Sequence, residues 1–414
     1  MKGKLVGIFI DDILAISGIL FFASKFIVFD NPITHFIVFG LLFISCFKFI
    51  IIGRINIRIY LFLLFIIYLA GTSILTYEAD SFDKFLGFCI YSLSYYLYFY
   101  NNKNRLNEIL KIYCFFSIVI CFICLIQEVG YFLKNTYMYD FSIYGFYSRA
   151  TPSGPFLRVY GFFAEPASMA DILLIPLCYY LYVLFTKHKS GFNIFLTAIV
   201  VITAILTFSI IPYILLTFFV IYFACKINKL RFILIFPIAI VIMVSGIYTS
   251  DNLREKVGTL FYDREQLVTG TGASTYAIVS DALVNTTAFI EHPILGTGFF
   301  KYEENYINHI FKYFNIDDAT AYKRIKYDAI MYFKIFSEMG AIGVVFIVLI
   351  FRRRREKRLF VNALFWGVMI CMIRTGSYFS TINYFNIGFI FMLLDNYYVF
   401  EKDRNNMVCL VLKE

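Results

Sequence analysis

Long apolar runs recur along almost the whole chain, and that recurrence limits the fold more than any motif does. Each run is roughly 18–25 residues, the length an α-helix needs to cross a bilayer. In hydrocarbon every backbone N–H and C=O must find its partner within the protein, so such a run is read as a helix. The 414 residues are 60% hydrophobic and only 16% charged, whereas a soluble domain is about half apolar and about a quarter charged. The pattern predicts a single all-α, polytopic membrane domain over 1–414. About twelve transmembrane helices are expected, near 5–24, 31–52, 58–76, 83–100, 109–130, 166–185, 193–208, 211–225, 231–249, 329–350, 359–375 and 380–400. The first run follows Met1-Lys2-Gly3-Lys4 and reads as a retained helix, because it is long and more spans follow.

Charge orients these spans. More than half of the 37 Lys and Arg residues fall in alternate loops, clearest in Asn101–Lys111 and Arg352–Arg358. The long segment Ser250–Asp328 instead holds more acidic than basic residues. This is the positive-inside bias. It puts both termini in the cytoplasm and explains the net charge of +9 without a nucleic-acid partner. Two outer loops are long, 131–165 and 250–328, and ordered loops of that length usually carry function. Phe192–Cys225 is too long for one helix, and Ser209-Ile210-Ile211-Pro212 predicts a tight outer turn between two.

The nine cysteines avoid both long loops, so no disulfide scaffold is expected. Cys121 and Cys124 make a C-x-x-C inside an apolar run, read as packing. His35, His188, His292 and His309 lack metal-ligand spacing, and no P-loop or dinucleotide fingerprint is present. Neither a metal nor a nucleotide cofactor is expected.

The polar residues at the outer ends are the chemical candidates. In Arg158-Val159-Tyr160-Gly161-Phe162-Phe163-Ala164-Glu165-Pro166-Ala167-Ser168, Gly161 lets the chain bend. Pro166 suits the first turn of the sixth span, and Glu165 would stand at its N-cap, where the dipole favours a carboxylate. Glu165 is either a helix cap or a working carboxylate, and Arg158 meets either lipid headgroups or an anionic substrate. Arg149 is a second cation on this loop. An amphipathic helix is expected over Ser274–Phe289, followed by Glu291-His292-Pro293-Ile294-Leu295-Gly296-Thr297-Gly298. That turn could end the helix, or its N–H groups, with Gly296 and Gly298, could form a nest for phosphate or a sugar oxygen. Beyond Tyr327-Asp328-Ala329 comes Phe336-Ser337-Glu338-Met339-Gly340-Ala341-Ile342-Gly343. Its glycines favour close helix packing, and Glu338 inside the span is either paired structurally or functional. Arg374, near the outer end of the eleventh span, either binds an anion such as a diphosphate or snorkels to headgroups. Asp11-Asp12 opens a shorter first span and is assigned no role.

These points, in this order, resemble the O-antigen polymerase and O-antigen ligase superfamily. They are Gly161 with Glu165-Pro166-Ala167-Ser168, the pair at Pro212, His292-Pro293-Ile294-Leu295-Gly296-Thr297-Gly298, and Glu338-Met339-Gly340-Ala341-Ile342-Gly343. The resemblance covers about Tyr131 to Ile350. It implies a fold similar to type-C glycosyltransferases, acting at the outer face of a bacterial inner membrane on sugars linked to undecaprenyl diphosphate. It also allows a chain-length-regulating partner. Ligases of the group carry a histidine before the E-x-G-x-x-G span, where this chain has Tyr327-Asp328-Ala329-Ile330. That favours a repeat-unit polymerase of lipopolysaccharide or another surface polysaccharide. Many relatives also have an arginine opening the helix before the H-P-x-x-G turn, where Gly272-Ala273-Ser274-Thr275-Tyr276 has none. Arg264 is the nearest substitute, with Arg324 further on. Arg158, Arg149, Arg264, Arg324 and Arg374 are then expected to bind diphosphate. Glu165 is the first candidate for the base, with Asp328 and His292 behind it. The alternatives are a ligase joining polymer to lipid A-core and, from another class, a lipid-linked oligosaccharide flippase.

Overall fold

The computed structural model describes residues 9–24, 27–28, 31–52, 57–75, 79–144, 146, 152–163, 166, 168–186, 190–226, 273–314, 330–350, 359–373 and 380–404. Their helices are α1 (Ile10–Ser24), α2 (Ile33–Ile52), α3 (Ile57–Leu75), α4 (Ala79–Asn101), α5 (Leu106–Phe132), α6 (Thr136–Tyr139), α7 (Ser168–Thr186), α8 (Gly191–Leu206), α9 (Ile210–Lys226), α10 (Ala273–Glu291), α11 (Tyr302–Ile310), α12 (Met331–Ile350), α13 (Leu359–Cys371) and α14 (Thr381–Arg404). The strands among them are two-residue antiparallel pairs, Ile27–Val28 with Asn31–Pro32 and Pro152–Ser153 with Phe156–Leu157. Every expected span coincides with a helix except 231–249, which lies outside the described residues. By length and composition α2, α5, α7 and α12 can each cross a membrane, and shorter apolar helices accompany them.

Burial separates the centre of the bundle from its perimeter. Of the most apolar stretch of α7, 78% is buried, against 22% for α2. The outer face of α2 shows Phe36, Phe39, Phe43, Phe47 and Ile50, all exposed at helical spacing. A soluble protein rarely leaves so continuous an apolar stripe uncovered, whereas a lipid-facing helix requires one. The chain is therefore an all-α, multi-pass membrane protein. At the centre, Tyr95, Tyr98, Phe99, Tyr113 and Phe385 are fully buried. Tyr113 stacks on Phe385 at 4.7 Å. Cys121 and Cys124 are completely buried in the same core, with free thiols.

The tight turn appears as Thr207-Phe208-Ser209 between α8 and α9, with Pro212 the third residue of α9. Phe208 takes φ 44°, a left-handed conformation rare outside glycine. Its N–H donates to Ile205 O at 3.1 Å, and Tyr213 donates its hydroxyl to the same carbonyl at 2.9 Å.

The Asp11-Asp12 pair has a structural role that its sequence position did not suggest. Both residues are 1% exposed. Asp11 Oδ2 accepts from Lys48 Nζ and Asn102 Nδ2, each at 2.8 Å. Asp12 accepts from Tyr98 Oη at 2.7 Å, and its Oδ2 meets Arg105 and the Phe9 N–H at 3.1 Å. One turn of α1 is thereby fastened to α2, to α4 and to the turn that leads into α5.

Candidate functional site

The segment around Arg158 is held by its backbone. Two polar residues at the end of α5 receive it. Glu128 accepts the Leu157 N–H at 3.1 Å through Oε2. Gln127 Oε1 accepts the Gly161 N–H at 2.8 Å and the Tyr160 N–H at 3.3 Å, while its Nε2 donates to Gly161 O at 3.2 Å. From the other side the Val159 N–H donates to Leu206 O, the last residue of α8, at 3.1 Å. Gly161 has φ +60°, a conformation that favours glycine, so the bend expected there is present. Val159, Tyr160 and Phe163 are buried and Arg158 is half-buried. A short extended segment whose backbone is held on both sides thus places Arg158 between the ends of α5 and α8. Helix α7 begins at Ser168, two residues after Pro166, so Pro166 precedes the first helical turn and does not occupy it.

The turn after α10 and the middle of α12 form a second unit. Gly340 takes φ 59° and ψ −167°, which breaks α12. The carbonyls exposed by that break are filled by the turn: the Thr297 N–H donates to Ser337 O at 2.8 Å and the Gly298 N–H to Glu338 O at 3.1 Å. In return the Ala341 N–H donates to Pro293 O at 2.9 Å and the Ile342 N–H to Ile294 O at 3.2 Å. From α3, the Tyr68 hydroxyl donates to Met339 O at 2.6 Å. The Gly296 N–H is spent on His292 O at 3.0 Å. Of the two readings of this turn, these hydrogen bonds favour the structural turn over the anion nest. The N–H groups of residues 296–298 are consumed inside the protein, and the glycines serve backbone-to-backbone packing.

Beneath this joint lies a buried polar layer. Asp281 on α10 accepts from the Tyr302 hydroxyl and, at 3.2 Å, from the Ile330 N–H. One turn on, Asn285 Oδ1 accepts from Ser337 Oγ at 2.6 Å. Glu338 is fully buried and accepts the Tyr302 N–H at 2.8 Å, so the helix α11 starts against its carboxylate. Asn305 donates to Thr297 Oγ1 at 2.7 Å. Lys334 Nζ lies 5.1 Å from the centre of the Tyr302 ring, and Lys301 Nζ binds Glu304 at 2.7 Å. Sequence reasoning passed over Asp281, Asn285 and Tyr302. The available signal was the buried stripe Tyr276, Ser280, Asp281, Val284, Asn285 and Ala288, a helical period with polar residues on its inward face.

His292 is exposed and lies outside this layer. Its neighbour Glu291 pairs with Lys312 at 3.1 Å and faces His309 at 3.4 Å. Burial holds the His309 imidazole below its ordinary value. Among the candidates, the structure joins His292, Gly296, Gly298 and Glu338 in one unit and places Arg158 in another. Glu165, Asp328, Arg149, Arg264, Arg324 and Arg374 lie outside the described residues.

Fold and sites together define a multi-pass α-helical membrane protein with two polar units built at helix ends. No protein-family model, curated protein or solved structure matches the chain.

Proposed function

We propose that the chain is a repeat-unit polymerase of a lipopolysaccharide or surface polysaccharide. It would work at the outer face of a bacterial inner membrane, with about twelve spans and both termini cytoplasmic. A hydroxyl at the non-reducing end of an incoming lipid-linked repeat unit attacks the anomeric carbon of the growing glycan. The new C–O bond forms as the bond to undecaprenyl diphosphate breaks, and its electron pair leaves on the diphosphate oxygen. The hydroxyl proton passes to a base, for which Glu165 is the first candidate. Because the leaving group is already activated, the reading needs neither nucleotide nor metal. Fixed cations can meet the developing charge, and Arg158 is the one we assign first.

The observation that carries this reading is the joint between residues 293–298 and 337–342. These segments lie 40 residues apart, both contribute to the family resemblance, and four backbone hydrogen bonds make them one unit. A resemblance spread over loose motifs gains weight when the motifs interlock.

Sugar-chain length on a resolving gel tests the proposal. Deletion of a polymerase leaves lipopolysaccharide capped by a single repeat unit. Deletion of a ligase leaves no cap and accumulated lipid-linked polymer. Purified protein given lipid-linked repeat units on one side only should make polymer without translocating them, which a flippase would not do. Glu165→Gln and Glu165→Asp are expected to shorten the product, and full-length polymer from both would remove Glu165 from the mechanism.

A further inference from the structure

Inside the bundle, α3, α4, α12 and α14, with Met372 just past α13, line a cavity of about 140 Å³ that adjoins the second polar unit at Met339. Its wall includes Phe65, Phe88, Met339, Met372 and Phe391, and among the described residues it holds no charged side chain. Two small polar side chains stand in it. Ser92 is satisfied within its own helix, donating to Phe88 O at 2.7 Å. Asn383 differs: it is only 8% exposed, and its Nδ2 is buried without a hydrogen-bond partner. Leaving such a donor unpaired costs about 1–3 kcal/mol. This donor marks where an acceptor oxygen belongs.

The shape of the wall narrows the class of ligand. Asn383 sits in the first turn of α14, and the lining continues along the same helix through Tyr384, Ile387, Gly388 and Phe391. That places roughly 12 Å of hydrocarbon wall behind one donor, at 1.5 Å per residue. Phe62, Ile335 and Ile347 line the cavity and are themselves only half-buried, which puts its mouth on the lipid-facing flank. An apolar cavity of about 150 Å³ accepts a molecule the size of benzene, so this one takes a segment of a single chain. With no cation among the described wall residues, a phosphate or diphosphate drawn to Asn383 would find no counter-charge there to offset its desolvation. A neutral ester carbonyl needs only the one amide donor.

We infer that this cavity binds an acyl-chain segment of a membrane glycerophospholipid, whose ester carbonyl accepts from Asn383 Nδ2. The bound chain fills the space between α14 and its partners α4 and α12. The inference is independent of the proposed polymerase reaction.

Native mass spectrometry of the full chain, stripped of lipid and titrated with phosphatidylglycerol, tests it. Wild type should retain one phospholipid, and Asn383→Leu should bind it about fivefold to tenfold more weakly, the worth of one hydrogen bond. An ether-linked phospholipid with the same chains lacks the carbonyl. It should bind wild type more weakly by the same factor and show no difference between wild type and Asn383→Leu. Ile335→Trp, placed at the mouth, should remove the adduct. The inference is overturned if ester and ether lipids bind wild type equally, if Asn383→Leu retains full affinity, or if the lipid carried through purification is a polyprenyl diphosphate.

Discussion

Gly296 and Gly340 meet backbone against backbone. A Cβ on Gly340 would stand 2.4 Å from Gly296 N, and one on Gly296 would stand 2.4 Å from the carbonyl of Glu338. Both residues have positive φ, +71° and +59°. Gly296→Ala and Gly340→Ala are therefore each expected to destabilise by about 2–4 kcal/mol, combining left-handed strain with overpacking. Thermal melting in detergent reads the effect. Gly71→Ala is the control, since a Cβ there meets nothing within 4 Å, and its stability should change by no more than about 1 kcal/mol, in the stabilising direction.

Gln127 anchors the Arg158 segment through both faces of its amide. Gln127→Leu keeps most of the volume but leaves the Gly161 N–H buried and unpaired, which should cost about 1–3 kcal/mol. The loss should concentrate in the segment itself. Hydrogen exchange is expected to rise at Tyr160 and Gly161 more than in α7, and a uniform rise through the bundle would show that the side chain does not act as a local anchor.

The spans were legible because length and hydropathy are local properties of a sequence, and the lipid supplies the rest of the argument. The tight pair at Pro212 and the bend at Gly161 were legible because each is marked by a residue with unusual backbone behaviour, proline with its fixed φ and glycine with its access to positive φ. The polar joints were not. Asp12 meets Arg105 across 93 positions of sequence and Asn285 meets Ser337 across 52. Neither spacing has a period that marks it. Gln127 and Glu128 fell inside the expected span 109–130 and were given no role, when they are the residues that grip the Arg158 segment. The turn at Gly296 and Gly298 showed its glycines plainly but not their purpose, because the Thr297 and Gly298 N–H groups are consumed at a helix break about 40 residues on.

Asp12 and Arg105 hold the opposite end of the bundle. Removing one partner of a largely buried ion pair strands the other, and Asp12→Ala should cost about 3 kcal/mol, partly offset because Arg105 keeps 20% of its side chain in solvent and retains Glu108 at 2.9 Å. Adding Arg105→Ala should cost less in the Asp12→Ala background than in wild type, because the stranded charge is gone. A double-mutant cycle on melting measures that coupling. Strict additivity would mean that the pair does not act as a unit.

His309 gives the loop helices a pH dependence with a definite sign. Its folded-state pKa lies below the ordinary 6.5 because burial disfavours the imidazolium, the nearby Glu291 carboxylate opposing this only in part. The unfolded chain therefore binds the proton more readily than the folded one. Stability from this group is fully present above about pH 6.5 and is lost as pH falls through that value toward the folded pKa, at no more than about 1.4 kcal/mol per pH unit. Glu291 acts in the same sense but in a more acidic window: its carboxyl is held low first by the Lys312 hydrogen bond, so its contribution is lost only as pH falls through the ordinary carboxylate range toward the folded pKa. The two windows separate, and melting measured between pH 5.5 and 7.5 isolates His309. His309→Gln should flatten the curve in that interval while Glu291→Gln leaves much of the slope in place. Equal slopes in wild type and His309→Gln would assign the dependence to another group.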